Sequence, residues 1–340
     1  MTKHRDRYIS GHAIKRQALS GVDLGAFDLV LLAPSWDRRC TSITDIKLQA
    51  DTAIVLRFDL KDNRGLQVQH EKLIDNFAFQ TASNVIPLSG DATALRSFWT
   101  KIWMTVTSLR TRKKTPWRVL IDLSTCPRFY SLGLLAGLFR EGLAQTVSVL
   151  YAEGKYGTKP QPSTADYPFT VGHWEAEPVP FLLGNSRPTK KKHFVVSVGF
   201  EGRRTARVLA KEDPDRVSVL MPKPGVRPGY VTETWRRNKE TIDEYCIAKE
   251  RIVNAPAGDA ISAWKKLTEA GLEEPENEEV LYLCCGTKPH SLAMALRAIC
   301  LEYPTVLYNR PELHSFMDVF PTGVYWQYDL RDLSSFPTLQ

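Results

Sequence analysis

The chain has 340 residues, 43% of them hydrophobic and 24% charged, with 45 Lys and Arg against 38 Asp and Glu for a net charge of +7. At roughly 150 residues per domain this predicts about two domains or one large α/β unit. The ordinary apolar content excludes disorder over most of the chain, a collagen-like repeat and a coiled-coil rod. The mild basic excess fits a phosphate-bearing partner and, equally, many plain enzymes.

Residues 1–7 are charged and no apolar segment follows them, so no signal peptide is read and a cytoplasmic location is expected. Residues 1–25 read as a basic arm or helix. The apolar run Leu29-Val30-Leu31-Leu32 reads as a strand and leads into Ala33-Pro34-Ser35-Trp36-Asp37-Arg38-Arg39. A second strand follows at 53–56 and a third at 84–88. Gly90-Asp91-Ala92 then opens a helical pattern that carries Trp99, with Asp91 as its cap. A strand ending at Asp122 runs into Leu123-Ser124-Thr125-Cys126-Pro127-Arg128, the start of another helix. Its apolar stretch, 132–139, lies between Arg128 and Arg140 and is far short of the ~20 residues of a membrane span. Val149-Leu150-Tyr151 is the fifth strand. Residues 153–192 are dense in Pro, Gly and Lys and read as a connection, with a strand at 169–174 kept in the first half.

The same order returns about 160 residues later. Phe194-Val195-Val196-Ser197-Val198-Gly199-Phe200-Glu201-Gly202-Arg203 matches the first strand and its loop. Gly258-Asp259-Ala260 matches Gly90-Asp91-Ala92, with Trp264 following as Trp99 does. Cys285-Gly286-Thr287-Lys288-Pro289-His290 matches residues 123–128, Val306-Leu307-Tyr308 matches 149–151, and residues 322–326 weakly match 170–174. Short apolar strands alternating with longer helical patterns indicate a parallel sheet covered on both faces. The expected fold is therefore α/β: two tandem Rossmann-like units with parallel sheets, related by internal duplication, at 26–180 and 181–340.

Other signals narrow the chemistry. The six cysteines, Cys40, Cys126, Cys246, Cys284, Cys285 and Cys300, form no C-x-x-C pair and read as buried reduced thiols. The seven His are scattered, so no metal site is expected. No Walker A sequence occurs and no Gly-x-Gly-x-x-Gly follows a strand, so no cofactor is expected. No Gly-x-Ser-x-Gly elbow is present. The basic runs 110–114, 190–192 and 236–237 read as solvated faces, which leaves a nucleic-acid track without support.

In open parallel sheets, ligands bind beyond the carboxyl ends of the strands. Two loops per half meet that condition. After the first strand, Trp36, Asp37 and Arg39 in one half and Phe200, Glu201 and Arg203 in the other offer a base-stacking aromatic, an acid and a phosphate-gripping arginine. The competing reading is a surface salt bridge between the acid and its neighbouring arginine, with the aromatic in the core. After the fourth strand, Gly286 permits a tight exit, Thr287 can cap the helix, Pro289 suits its first turn, and Lys288 adds charge to a helix start that attracts anions. In the first half Ser124, Thr125 and Arg128 occupy this loop, and capping explains Asp259 as it does Asp91.

Gly286-Thr287-Lys288-Pro289 resembles the Gly-Thr-Lys-Pro motif of CARF domains, the CRISPR-associated Rossmann-fold sensors of cyclic oligonucleotides. The resemblance implies a Rossmann-like unit acting in pairs, a ligand touched by this loop, a place in prokaryotic antiviral defence and an effector protein as partner. The first half departs from the motif, with Ser124 for Gly and Cys126 for Lys, and Arg128 supplying the charge. Face-to-face pairing would bring the four loops to one cleft. The leading expectation is a nucleotide-binding or nucleotide-sensing protein with no membrane contact. One alternative is an enzyme acting on a nucleotide or phosphodiester in the inter-domain cleft, with Asp37, Glu201 or His290 in acid–base roles and Arg39 and Arg203 holding the anion. The other is a non-catalytic module of a larger complex.

Overall fold

The computed structural model describes residues 9–16, 21–59, 64–91, 94–111, 114, 116–156, 170–184, 191–314 and 319–332. The chain divides into two compact units, Ile9–Lys159 with Phe316–Gln340, and Pro160–Ser315. Most of the arm expected at 1–25 is either outside the described residues or strand. Residues 157–169 and 185–190 of the expected connection, and Arg112, Lys113 and Lys190 of the basic runs, also lie outside them.

The first unit holds β1 (Ile9–Arg16), β2 (Asp23–Leu32), β3 (Lys47–Asp59), α1 (Arg64–Thr81), β4 (Ala82–Asp91), α2 (Leu95–Leu109), β5 (Trp117–Asp122), α3 (Arg128–Arg140), β6 (Ala144–Tyr156) and the late strand β13 (Val319–Asp332). Its sheet runs β1-β13-β6-β5-β2-β3-β4. Strands β2 to β6 are parallel, while β13 is antiparallel to both β6 and β1. The run 29–32 of β2 is buried throughout, as a strand covered on both faces requires. Val30, Leu32, Val55 and Leu120 pack with Ile74 and Phe77 of α1 in one core. Phe58, Phe98 and Tyr130 form an aromatic cluster that joins β3, α2 and α3, with ring centroids 5.2–5.5 Å apart.

The second unit holds β7 (Thr170–Pro178), β8 (Lys191–Ser197), α4 (Gly202–Glu212), β9 (Arg216–Pro222), α5 (Tyr230–Glu244), β10 (Ile252–Ala255), α6 (Ala260–Ala270), β11 (Glu278–Cys284), α7 (Lys288–Leu301) and β12 (Thr305–His314). Its sheet runs β10-β9-β8-β11-β12-β7, parallel except for β7 against β12. Phe194, Val196, Val219, Leu281 and Leu283 pack with Val208 and Leu209 of α4 in its core.

The two sheets share one order. Reading β2 to β6 and β8 to β12 as strands one to five, both run 3-2-1-4-5, and each then adds an antiparallel sixth strand. That sixth strand is exchanged along the chain. β7 follows β6 in sequence yet joins β12, and β13 follows β12 yet joins β6. The units therefore differ from the expected 26–180 and 181–340. The strand expected at 169–174 is described from Thr170, as β7, and goes to the second sheet, while residues 319–332 return to the first. β1 occupies part of the expected arm as a strand that pairs with β13. The weak sequence match of 322–326 to 170–174 falls on these two antiparallel strands.

Local starts also differ between the halves. Asp259 caps α6, its carboxylate accepting from Ser262 N at 2.8 Å. Asp91 is the last residue of β4, and α2 begins only at Leu95, so the capping role expected for Asp91 belongs to Asp259 alone. None of the six cysteines is in a disulfide. Cys40, Cys126, Cys284 and Cys285 are buried and Cys300 half-buried, but Cys246 is exposed, against the expectation of burial. Burial pushes the Cys40 thiol up to about 12, which leaves it inert. No helix among the described residues is long and apolar enough to cross a membrane.

Candidate functional site

Strands one and four are neighbours in each sheet but leave their connections in opposite directions, which opens a crevice at their carboxyl ends. In the second unit the loops that border it are the β8–α4 loop (198–201) and the β11–α7 loop (285–287). They touch. Gly286 N donates to Ser197 Oγ at 3.1 Å, and Cys285 N to Ser197 O at 3.2 Å. A Cβ on Gly286 would lie 2.7 Å from Val198 O, and one on Gly199 would lie 3.0 Å from Cys285 O. Glycine at both positions is what allows this approach.

The 14-residue helix α7 starts at Lys288, and Thr287 is its cap. Thr287 Oγ1 accepts from His290 N at 3.3 Å and donates to Ala257 O at 2.9 Å. The β10–α6 loop is thereby tied to the start of α7. Lys223 N donates to Ala255 O at 2.8 Å and Ala257 N to Pro224 O at 3.0 Å, so the loop after β9 joins the same hydrogen-bonded rim. Lys288 is half-buried at the positive end of α7, while Lys223, Arg227 and Arg203 are exposed. The Phe200 and Tyr230 rings meet edge to face, 5.1 Å apart and both half-buried. Phe200 is held from behind, because its carbonyl accepts from Arg237 Nη1 at 3.3 Å and Gly199 O accepts from Asn238 Nδ2 at 2.8 Å.

Gly202, the first residue of α4, is a packing requirement of this rim. A Cβ there would fall 1.8 Å from the Arg237 carbonyl oxygen, which is backbone and cannot swing aside. Gly202→Ala is expected to cost about 1–3 kcal/mol through overpacking, read as a lower midpoint in equilibrium urea unfolding.

The acid–arginine pairing anticipated in both halves is present, but turned inward. In the second unit Glu201 binds Arg204, Nη1 to Oε2 at 2.7 Å, and Arg204 Nη2 donates to Asn309 O. Burial works against the charge of Arg204, and Glu201 more than offsets it, so the guanidinium is held above its ordinary value. Arg203, the arginine chosen from the sequence, faces outward. In the first unit Asp37 grips Arg39 through both carboxylate oxygens, Nη2 to Oδ2 at 2.6 Å and Nε to Oδ1 and to Oδ2 at 3.1 Å, with side chains 10% and 14% exposed. Arg39 also lies 5.9 Å from the centroid of the Tyr151 ring, and Asp37 raises its pKa against the opposing effect of burial. The salt bridges of the competing reading are present as pairs but are buried rather than on the surface, Asp37 with Arg39 and Glu201 with Arg204. Trp36 is half-buried rather than in the core.

The first unit's fourth-strand loop is closed by its own contacts. Ser124 N donates to Asp122 Oδ1 at 2.9 Å, Ser124 Oγ accepts from Ala152 N at 2.9 Å, and Thr125 Oγ1 donates to Ala33 O at 2.6 Å. Helix α3 starts at Arg128 after Pro127, with no side-chain cap, so Thr125 does not play the part of Thr287. Arg128 is half-buried.

His290 is the clearest departure from the expected roles. It is 0% exposed, its Nε2 bonds Pro256 O at 3.1 Å, and its Nδ1 has no hydrogen-bond partner. Burial pushes it down to about 4, so it stays neutral and out of reach of a ligand. The sequence reading missed Arg204, although Glu201-x-x-Arg204 is the spacing of a helical ion pair. It also missed Tyr230 and Tyr151, which approach only through the fold.

No family model matches the sequence, and no curated protein matches it. Among solved structures, the crystal structure of a functionally unknown protein PA1789 from Pseudomonas aeruginosa PAO1 is similar over 84% of this chain and 93% of that one, at 9% identity and a TM-score of 0.23. A likeness at that level carries no argument about this protein.

Proposed function

We propose that the protein binds a nucleotide or another phosphate-bearing ligand at the β8/β11 crevice of the second unit. One observation carries the reading. Two glycines let the first-strand and fourth-strand loops touch at the switch point, beside Lys288 at the start of α7. The phosphate would lie at that helix start and Lys288, and a base would meet the Phe200–Tyr230 pair. The first unit lacks the paired glycines and the lysine in its corresponding loop, where Ser124 and Cys126 stand in place of Gly286 and Lys288.

Binding is favoured over catalysis because the acid–base candidates are occupied. Asp37 holds Arg39, Glu201 holds Arg204, and His290 is buried. The shared 3-2-1-4-5 order supports descent of both units from one duplicated ancestor. The Gly286-Thr287-Lys288-Pro289 resemblance extends the reading to a sensor in prokaryotic antiviral defence with an effector protein as partner.

A thermal-shift screen of linear and cyclic nucleotides tests the reading. Ligand at 100 times its dissociation constant adds about 2.7 kcal/mol of stability. Lys288→Ala is expected to weaken that ligand by about 1.5–3 kcal/mol, the range for hydrogen bonds to charged groups. Unchanged affinity in that variant would remove the loop from the site.

A further inference from the structure

Helix α4 buries Gly202, Arg204, Thr205, Val208 and Leu209 and turns the rest outward. Its exposed side carries Arg203, Arg207 and Lys211. Four-residue spacing places them on one side of the helix, about 6 Å apart along its axis. No acid occurs between Arg203 and Lys211. Glu212 comes after them, with its carboxylate 3.9 Å from Lys192 Nζ. Lys211 suits the negative end of the helix dipole. Arg203 sits at the positive end, where a cation opposes helix stability. The first-strand loop of the first unit turns into the short 3-10 helix Arg38–Asp45, with Cys40, Ser42 and Ile43 buried.

We propose that α4 is a docking surface for single-stranded nucleic acid, whose phosphates follow Arg203, Arg207 and Lys211 away from the crevice. The inference rests on the nucleotide reading of that crevice and names its ligand as the end of a longer strand. Two of the three cations are arginines, whose planar forks match phosphate oxygens. The row begins at Arg203, three residues after Phe200, which meets Tyr230 edge to face. Aromatic groups beside a cationic track suit unpaired bases, which a duplex or an acidic peptide does not present.

The test uses the full chain and fluorescently labelled single-stranded DNA and RNA 20-mers, with anisotropy measured across a salt series. Each lost phosphate contact flattens the dependence of log affinity on log salt by about 0.7 for a single strand. Arg207→Ala/Lys211→Ala is therefore expected to flatten it by about 1.4 while the mononucleotide thermal shift persists. Arg207→Glu/Lys211→Glu is expected to abolish binding. Oligonucleotide affinity with an unchanged salt slope in the alanine double variant overturns the α4 surface and leaves the crevice reading standing. So does preferential binding to polyglutamate or to phosphatidylserine vesicles. A flattened slope with no nucleotide thermal shift overturns the crevice reading alone.

Discussion

Glu273→Ala is expected to lower the free energy of unfolding by about 3–5 kcal/mol, the cost of stripping the partner from a buried ion pair. Helix α7 is buried from Pro289 to Ile299, and that stretch includes Arg297. Its guanidinium is 8% exposed and its partner Glu273 only 2%. The pair is bidentate, Nε to Oε1 at 2.7 Å and Nη2 to Oε2 at 2.7 Å, and Thr268 Oγ1 accepts from Nη1 at 2.9 Å. Tyr282 OH donates to the same carboxylate at 2.5 Å. Removing Glu273 therefore strands a full charge and a phenol hydroxyl together. Glu273→Met/Arg297→Met, which removes both charges, should recover most of the loss, because the desolvation penalty disappears with them. Urea unfolding of the two variants at neutral pH measures the difference. A single variant within 1 kcal/mol of the parent, on the order of an exposed pair, would mean that α7 is not held this way.

The parts of this architecture legible in the chain were those written in local pattern. Residues 29–32, 53–56 and 194–196 were recognisable as strands because a strand buried on both faces is a continuous apolar run. Thr287 and Pro289 marked a helix start because capping needs only neighbours. The exchange of β7 and β13 was hidden. Pairing partners of an antiparallel strand are chosen by the whole sheet, and Tyr325 and Trp326 lie far along the chain from Ala152 and Tyr151 of β6, which they join. The site was half legible for a related reason. Glu201 and Arg204 are one helical turn apart, whereas Glu273 and Arg297 are brought together across a strand and a turn. The side to which an acid–arginine pair faces depends on packing that no short motif encodes.

Stability is expected to fall between pH 6.5 and pH 4 by about 3 kcal/mol through His290, at roughly 1.4 kcal/mol per pKa unit. In the unfolded chain this imidazole titrates near 6.5, and burial lowers it to about 4 in the folded one. The unfolded state therefore binds more protons in that window, and acid favours it. Above pH 6.5 both states are neutral and the contribution is fully present. It shrinks as pH falls and is lost below 4. The geometry gives the same sign. Nε2 already bonds Pro256 O, while Nδ1 lies buried with no acceptor, so an added proton would place an unpaired N–H and a charge at the first turn of α7, its positive end. His193 is lowered to about 4 as well, by burial and then by Arg216, and supplies a second slope in the same range. Glu273, held below the ordinary carboxylate range by Arg297 and Tyr282 against the opposing effect of burial, keeps its contribution until pH falls below its ordinary value near 4.5, at the foot of this window, and loses it from there downward. Urea unfolding at half-unit steps from pH 7.5 to 4 separates these groups. His290→Leu should flatten the profile by the His290 share while the His193 share remains. An unaltered profile in that variant would mean that the imidazole reaches water, and with it the crevice.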